Sequence, residues 1–372
     1  EESENANTIG SRIAQGRKAK GYTQEEFSQL LDVTAQAVSK WEKGLSYPDI
    51  TLLPKLATYF NVSIDELLGY EPQLTKERIE KLYAKLAKQF SEKAFEEVQQ
   101  EIEQLIVEYY SCFPFVIKMA QLYLNYYSKS SEPTTILQRI EQLCLRVKEL
   151  SEDYQLINQA VIMGASAKLL QGQPDEVLEI LGEEVTIQLG RDQLVATAHN
   201  MLGNTEEAKK ILQVSMYQNM LFTIVTGTEG LLLEVANPTH FDETVKRIKK
   251  LIEVFNVEAL NVSAALVFYL KAATGYAMQN RKSETLDMLK SYVKTCIQIQ
   301  FPLTLQGDDY FYLLTDWITK EIDPQAPRDE QSIKKDLLAS VCLPAFQLLQ
   351  EDKEYKALIQ NLKHHLNIEE GN

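Results

Sequence analysis

Hydrophobic residues recur every three or four positions along most of the 372-residue chain, which is the spacing of an amphipathic α-helix. Near the start, two short stretches of this kind lie between Thr23 and Gly44, and the polar turn Asp32-Val33-Thr34 separates them. Two short helices joined by a tight turn are typical of a helix-turn-helix. Their apolar stripes are formed by Phe27, Leu30 and Leu31 and by Ala37, Val38 and Trp41.

Residues that favour helix ends mark the limits of both helices. Thr23 followed by Glu26 is a capping-box pattern, Thr34 can cap the second helix, and Gly44 can end it. Because the apolar stripe turns inward, the second helix turns its polar face outward. That face is predicted to carry Ala35, Gln36, Ser39, Lys40 and Lys43.

The flanking segments complete a small domain of five helices, with one helix from Ile9 before the pair and two after it, as far as Leu68. The segment resembles the phage-repressor/Cro (XRE) family of DNA-binding domains. The resemblance extends to the order, spacing and caps of all five helices. It is carried by Gln24, Val33-Thr34, Val38-Ser39, Trp41-Glu42, Gly44, Tyr47-Pro48, Leu53 and Asp65-Glu66-Leu67-Leu68.

The resemblance implies that double-stranded DNA is the partner of this domain, and that Ala35, Gln36 and Lys40 are its main base-reading residues. Their chemistry is consistent with this role, because Gln can pair with adenine, Lys can donate to guanine and Ala can touch a thymine methyl group. Ala35 departs from the Gln or Ser often found at its position in the family. The alanine side chain has no donor or acceptor for direct hydrogen-bond readout of that base.

The same resemblance assigns contacts with the DNA backbone. It places Gln24 at a position that contacts the backbone and edge bases, and Arg17 and Lys43 at positions that contact phosphates. The complete predicted set of DNA-binding residues is Arg17, Gln24, Thr34, Ala35, Gln36, Ser39, Lys40 and Lys43.

The net charge of −15 is unusual for a DNA-binding protein until it is divided along the chain. Residues 10–60 hold seven basic and five acidic residues, which gives +2, and the remainder carries −17. An acidic remainder repels DNA, so the small N-terminal domain is expected to make the contact. A charge of only +2 predicts weak nonspecific affinity for one domain, and we therefore expect two to act together in a homodimer.

The length exceeds what one hydrophobic core usually supports and suggests two or three domains. We place a helix-turn-helix DNA-binding domain at residues 1–70 and a helical sensor and dimerisation domain at residues 71–372, with residues 69–75 as the linker. From Lys76 onward the pattern is almost continuously helical, without strand-like alternation.

Three helix–turn–helix segments in the second domain share a pattern. Their turns lie at Gly172, Gly203 and Asn280, and a small or β-branched residue follows each turn residue five positions later. The pattern resembles the turn of tetratricopeptide repeats, whose period is about 34 residues, although these turns lie 31 and 77 positions apart. The predicted fold class is therefore all-α: a five-helix repressor-like DNA-binding domain followed by a tetratricopeptide-like α-solenoid. A plain irregular helical bundle is the alternative.

A solenoid of helix pairs has a concave inner surface. Aligning the turns places polar and apolar side chains there, and their amides and hydroxyls suit the backbone of a short peptide effector. Ordinary polar surface remains the alternative for each residue. The predicted effector-binding residues are Gln159, Ser166, Gln193, Thr197 and Asn200, with Ile162, Leu169 and Met201 beside them.

Several functional classes find no support in the sequence. The four cysteines lie far apart, which argues against a zinc site or disulfide framework and for a reducing cytosol. We see no signal peptide and no apolar run of membrane length, and we expect a cytoplasmic protein without membrane contact. Catalytic motifs are absent, so we expect no enzyme, no cofactor and no metal.

A repressor-like domain followed by tetratricopeptide-like repeats is similar to the peptide-pheromone receptors of Gram-positive bacteria, the family that contains Rgg, PrgX and PlcR. The resemblance implies a bacterial regulator in quorum sensing, in which peptide binding to a dimeric body changes the spacing of two DNA-binding domains. The alternative is a protein-interaction scaffold, in which the solenoid binds a partner protein and the N-terminal domain only tethers it.

Overall fold

The computed structural model describes residues 8–70, 73–185, 187, 190–321 and 328–368, and in these ranges it contains α-helices and no β-strand. The first five helices are α1 (Ile9–Ala19), α2 (Gln24–Leu31), α3 (Ala35–Glu42), α4 (Leu53–Phe60) and α5 (Ile64–Leu68). The next eight are α6 (Lys76–Glu92), α7 (Phe95–Glu108), α8 (Phe113–Tyr126), α9 (Pro133–Leu150), α10 (Tyr154–Leu170), α11 (Pro174–Leu181), α12 (Arg191–Met201) and α13 (Thr205–Leu231). The last seven are α14 (Pro238–Val254), α15 (Val257–Leu260), α16 (Val262–Met278), α17 (Lys282–Gln298), α18 (Leu314–Glu321), α19 (Glu330–Val341) and α20 (Lys353–Leu366).

The chain divides into two compact units. One contains residues 1–79 and 103–118, and the other contains residues 80–102 and 119–372. The limits of these units fall within α6, α7 and α8. The boundary after residue 70 and the linker at 69–75, of which residues 71 and 72 lie outside the described ranges, stay predictions.

Helices α1–α5, which we call the head, pack around one apolar core. Phe27 and Val38 are completely buried, and Trp41 is nearly so, as the stripes of the two predicted helices require. Leu30 of the first stripe is 39% exposed, so its predicted place in the core is wrong. The other members of the core lie on α1, α2, α4 and α5, so that every helix of the head contributes to it. They are Ile9, Ile13, Leu31, Leu56, Ala57 and Leu67.

The predicted helix ends of the head are confirmed by their hydrogen bonds. The hydroxyl of Thr23 accepts from the backbone N–H of Glu26 at 3.2 Å, and the Glu26 carboxylate accepts from the Thr23 N–H at 2.8 Å. The hydroxyl of Thr34 accepts from the N–H of Ala37 at 3.1 Å. Gly44 follows α3 with a φ of +70°, a conformation that glycine adopts without strain. These caps fix where α2 and α3 begin and where α3 ends.

Helix α1 lies directly against the end of α3. A Cβ atom added to Gly10 would lie 2.1 Å from the carbonyl oxygen of Trp41, far inside van der Waals contact. The absence of a side chain at this position therefore sets the distance between the two helices.

A buried ion pair joins the same two helices. Arg17 donates from Nε to Glu42 Oε1 at 2.6 Å and from Nη2 to Glu42 Oε2 at 3.0 Å, and its Nη1 donates to the carbonyl oxygen of Tyr22 at 2.5 Å. The two side chains are only 9% and 8% exposed. Burial alone would raise the pKa of Glu42, but hydrogen bonds from Arg17 and Gln24 and the positive charge of Arg17 outweigh it, so that the pKa lies below its ordinary value.

The three predicted repeat turns share one backbone geometry. Gly172, Gly203 and Asn280 have φ values of +73°, +82° and +56° and follow α10, α12 and α16. In each turn the N–H of this residue donates to the carbonyl three residues back, and the next N–H donates to the carbonyl five residues back, at 2.9–3.0 Å. This is the Schellman arrangement, which satisfies the free carbonyl groups at a helix end.

The second helix of each pair packs closely against the first, as the pattern predicts. Val177, Ala208 and Thr285, which lie five positions after the turn residues, are 9%, 5% and 0% exposed. Helix α11 packs against α10, α13 against α12, and α17 against α16. We call α9–α17 the repeat region, and its paired helices confirm the predicted all-α fold with a solenoid-like arrangement after the head.

Further features of the described residues are the burial of the cysteines, the hydrophobicity of the helices and the grouping of metal-binding side chains. Cys112, Cys144 and Cys296 are buried, and burial raises the pKa of Cys144 and of Cys296 to about 12. In the described part of the chain no helix is long and apolar enough to cross a membrane. Within the same residues no three His, Cys, Asp or Glu side chains gather where they could hold a metal ion.

The close approach at Gly10 predicts that Gly10→Ala destabilises the head. Because the added methyl group would meet backbone and not a movable side chain, we expect a loss of roughly 1–3 kcal/mol in the free energy of unfolding. Urea unfolding, followed by the fluorescence of Trp41 in a Trp317→Phe background, measures this loss. Gly230→Ala is the control, since its added Cβ has no described atom within 4 Å apart from its chain neighbours and the backbone of its own helix, and alanine favours a helix interior. Equal stability of Gly10→Ala and wild type would contradict the close packing of α1 on α3.

The buried ion pair predicts how the stability of the head depends on pH. Since the pKa of Glu42 is lowered, its contribution is complete above the ordinary value of 4.5 and is lost as the pH falls through the lowered value. Glu42→Gln should cost about 3 kcal/mol at pH 7, because it leaves Arg17 buried without a partner charge. The variant should also lose less stability than wild type as the pH falls below 4.5, because it has no carboxylate at position 42 to protonate.

The same Trp41 fluorescence measurement, repeated at each pH, gives these stabilities. Glu25→Gln is the matched control, because it removes the same group from an exposed position on α2. If the stabilities of Glu42→Gln and wild type changed with pH in parallel, protonation of Glu42 would not contribute to the pH dependence of folding.

Candidate nucleic-acid interface

The outer face of α3 carries the side chains that were predicted to read DNA. Gln36, Lys40 and Lys43 are exposed and lie four and three positions apart, so they form one row along the helix. Ala35 and Ser39 are half-buried beside this row. The row offers amide and ammonium groups, which can donate to base edges and phosphates.

The first residue of α2 is held next to the last residue of α3. Gln24 is half-buried, and its Nε2 donates to Glu42 Oε2 at 2.7 Å. Its amide is therefore fixed at the point where the start of α2 meets the end of α3. This placement is compatible with the predicted contact between Gln24 and DNA.

Arg17 lies in a different environment from the one that its predicted phosphate contact requires. It is buried, and Nε, Nη1 and Nη2 all donate within the head, to Glu42 and Tyr22. In this arrangement Arg17 connects α1 with α3, and its charge is neutralised by Glu42. The direct phosphate contact suits Lys43 better, because Lys43 is exposed at the end of α3.

Thr34 combines a structural and a potential binding role. Its hydroxyl oxygen accepts the cap bond from Ala37, but a hydroxyl group also has a hydrogen to donate. Since Thr34 is exposed at the start of α3, this hydrogen remains available to a binding partner.

Glu42 is the residue of this region to which the sequence analysis gave no role. It accepts hydrogen bonds from both Arg17 and Gln24, so it connects α1, α2 and α3. A signal for it exists in the sequence, because Glu42 lies four positions after Val38 and next to Trp41, on the buried side of α3. A carboxylate on the apolar side of a helix requires a buried partner.

The five predicted effector-binding residues lie on α10 and α12, and three of them bond locally. The hydroxyl of Ser166 donates to the carbonyl of Ile162 at 2.9 Å, and the hydroxyl of Thr197 donates to the carbonyl of Gln193 at 2.8 Å. The hydroxyl of Thr205 donates to Asn200 Oδ1 at 3.3 Å. Gln159 is exposed on α10.

Gln193 is the one residue of the five that the structure places beside a described groove. This open groove has a volume of about 530 Å³ and lies between α12, α13 and α14. No side chain that lines it is ionisable. The lining residues are Gln193, Leu212, Ser215, Met216, Asn219, Met220, Thr223, Leu251 and Phe255.

Comparison with known proteins identifies the head. Residues 13–67 match the helix-turn-helix family HTH_3. The chain is similar to the HTH-type transcriptional activator BcrR of Enterococcus faecalis, with 39% identity over 67 residues, which are 18% of this chain and 33% of BcrR. It is also similar to the HTH-type transcriptional regulator ImmR of Bacillus subtilis, with 37% identity over 62 residues, which are 17% of this chain and 49% of ImmR. The chain thus spans half or less of the length of these two relatives.

A shorter relative is matched along almost all of its length. This is the SPbeta prophage-derived HTH-type transcriptional regulator YonR of Bacillus subtilis, with 31% identity over 106 residues, 23% of this chain and 98% of YonR. Among solved structures, the apo form of the competence regulator ComR from Streptococcus vestibularis matches 86% of this chain and 99% of its own, at 14% identity and a TM-score of 0.26, a similarity too low to inform function. The match to YonR, together with the capped helix pair of the head, shows that the chain belongs to the helix-turn-helix family of transcriptional regulators.

Proposed function

We propose that this regulator binds specific double-stranded DNA sites as a homodimer and that its repeat region senses an effector, a short peptide by preference. The observation that carries the DNA-binding part is the row of Gln36, Lys40 and Lys43 on the exposed face of a capped and anchored α3. We propose the eight residues predicted from the sequence as the interface, with Arg17 in a supporting position. Since the proposed partner is chromosomal DNA, we expect the protein in the cytoplasm of a bacterial cell.

The charge of the head supports a dimer. Because residues 10–60 carry only +2, and the Arg17 charge is already neutralised by Glu42, a single head has few cations for phosphates. Two heads related by a two-fold axis would bind two half-sites separated by one helical turn, or a multiple of it. The operator should therefore be approximately palindromic.

The lining of the groove along α13 favours an uncharged effector of low polarity. Its walls are mostly hydrocarbon and thioether side chains, and a charged group placed there would lose water without gaining a partner charge. The amides of Gln193 and Asn219 at its border can bond to a peptide backbone, which has both donors and acceptors. An effector can change DNA affinity only if it binds two states of the dimer unequally.

The DNA-binding proposal predicts that the double variant Gln36→Ala/Lys40→Ala loses sequence preference while its fold is retained. Each good contact to a base edge supplies roughly 1–3 kcal/mol of discrimination, so the two together should reduce site preference by at least tenfold. Selection of genomic DNA fragments by the purified protein at two salt concentrations measures the preference. The matched control is Gln29→Ala/Lys55→Ala, which removes the same groups from exposed positions on α2 and α4.

Discrete, approximately palindromic fragments that survive the higher salt concentration are the expected wild-type result. Retention that is blind to sequence and lost with salt would favour the alternative in which the repeat region binds a partner protein and the head only tethers it. Site preference that persists in Gln36→Ala/Lys40→Ala would contradict the assignment of α3 as the base-reading helix.

The effector proposal predicts that Met216→Lys weakens peptide binding. Met216 is 42% exposed in the groove, and a lysine there replaces apolar contact with a charge, at a cost of about 2 kcal/mol. A fluorescence polarisation screen with a library of short, uncharged apolar peptides measures the loss. Met278→Lys is the control, because Met278 is exposed at the end of α16 and does not line the groove. Equal peptide affinity for both variants would place the effector elsewhere.

A further inference from the structure

The side-chain amide of Gln24 is held in one orientation by its neighbours. Its Nε2 donates to Glu42 Oε2 at 2.7 Å. An ionised carboxylate accepts hydrogen bonds and has none to donate, so the nitrogen of this amide must face Glu42. The oxygen, Oε1, is therefore directed to the other side of the amide.

Glu42 is well suited to impose this orientation. Arg17 bonds to both of its oxygens, at 2.6 and 3.0 Å, and this holds the carboxylate rigid and keeps it ionised. The guanidinium also neutralises the carboxylate charge, so that a buried anion close to the DNA-binding face does not repel phosphates. The carboxylate thus acts on the Gln24 amide without acting on DNA directly.

The orientation determines what Gln24 can bind at a DNA surface. Among the described residues, Oε1 of Gln24 has no hydrogen-bond partner, and Gln24 is only half-buried at the start of α2. The second hydrogen of Nε2 can still donate to a phosphate, which offers acceptors only. Oε1 can bond only to a donor, and the major-groove edges of adenine and cytosine offer one in their amino groups. An amide that presents its oxygen therefore matches a base amino group.

We propose that Glu42 is a positioning residue that turns the amide of Gln24, so that Gln24 accepts a hydrogen bond from the amino group of adenine or cytosine and reads sequence. This inference rests on the proposed DNA-binding function. It goes beyond the contact with the backbone and edge bases that the resemblance implies for Gln24, because it names Glu42 as the residue that orients the amide and a base amino group as the donor. Loss of a phosphate contact weakens binding to all sequences equally, whereas loss of a base contact relaxes preference at one position.

The first experiment uses the full-length protein and a library of randomised double-stranded DNA, with wild type, Gln24→Ala and Gln29→Ala compared at one salt concentration. Gln24→Ala should lose preference for adenine or cytosine at a single position in each half-site, with discrimination reduced roughly five- to 150-fold. All other positions should keep their preference, and the Gln29→Ala control should match wild type. Uniform weakening without a change at any position would overturn the inference while leaving the proposed function intact. Failure of wild type to select discrete sites would instead remove the proposed function.

The second experiment tests the role of Glu42 itself. The double variant Arg17→Gln/Glu42→Gln removes both charges together, so that no buried charge is left alone, and it no longer dictates which end of the Gln24 amide faces inward. We expect loss of preference at the same position as in Gln24→Ala, with the remaining positions unchanged. Full preference at that position in the folded double variant would overturn the positioning role.

A measurement on the wild-type protein covers the case in which the double variant does not fold. In ¹⁵N-labelled protein, the side-chain amide signal of Gln24 is assigned by its loss in Gln24→Ala, and its hydrogen exchange with water is compared with that of the exposed Gln29. Slower exchange is expected for an amide bonded to Glu42. Exchange as fast as that of Gln29 would overturn the inference.

Discussion

The ion pair between Arg17 and Glu42 is the interaction on which the arrangement of the head depends. It joins α1 to the last residue of α3, and Glu42 extends the connection to α2 through Gln24. Burying two charges costs several kcal/mol of solvation for each ion, and only a two-point geometry with further hydrogen bonds recovers that cost. The fork of Arg17, its bond to the Tyr22 carbonyl and the bond from Gln24 supply this geometry. An apolar pair could fill the same space, but it would leave the direction of the Gln24 amide undetermined.

Local rules predict much of the head because its helix ends are set by neighbouring residues. Thr23, Glu26 and Thr34 form their caps within three or four positions of the chain, so that sequence alone is sufficient to identify them. The role of Arg17 could not be found in this way, since its partner Glu42 is 25 positions away. Glu42 carried a signal in its position on the buried side of α3, but that signal names no partner. Whether a basic residue at a helix end meets solvent or a buried carboxylate is decided by tertiary packing.

In the repeat region, too, neighbouring residues predict the turns, whereas contacts between distant residues decide which side chains line a groove. Gly172, Gly203 and Asn280 mark turns whose hydrogen bonds span at most five residues, and the predicted geometry is found in all three. The choice of inner-face residues relied instead on a register between repeats whose turns lie 31 and 77 positions apart. The structure places Gln193 beside a groove but leaves Gln159 on exposed surface. The side of α13 that forms the groove wall follows from its packing against α12, α14, α16 and α18, which periodicity does not specify.

Because the groove along α13 has no ionisable side chain in its lining, binding there should depend on salt concentration differently from binding of the head to DNA. Contacts between a basic protein surface and DNA release counterions, so their strength falls steeply as salt concentration rises. Burial of an uncharged ligand against Leu212, Met216 and Phe255 involves no such release, and mobile ions screen charges only. Occupancy of the groove by the proposed effector would thus depend little on the screening of charges, while the affinity of the head for DNA would fall as the internal salt concentration rises.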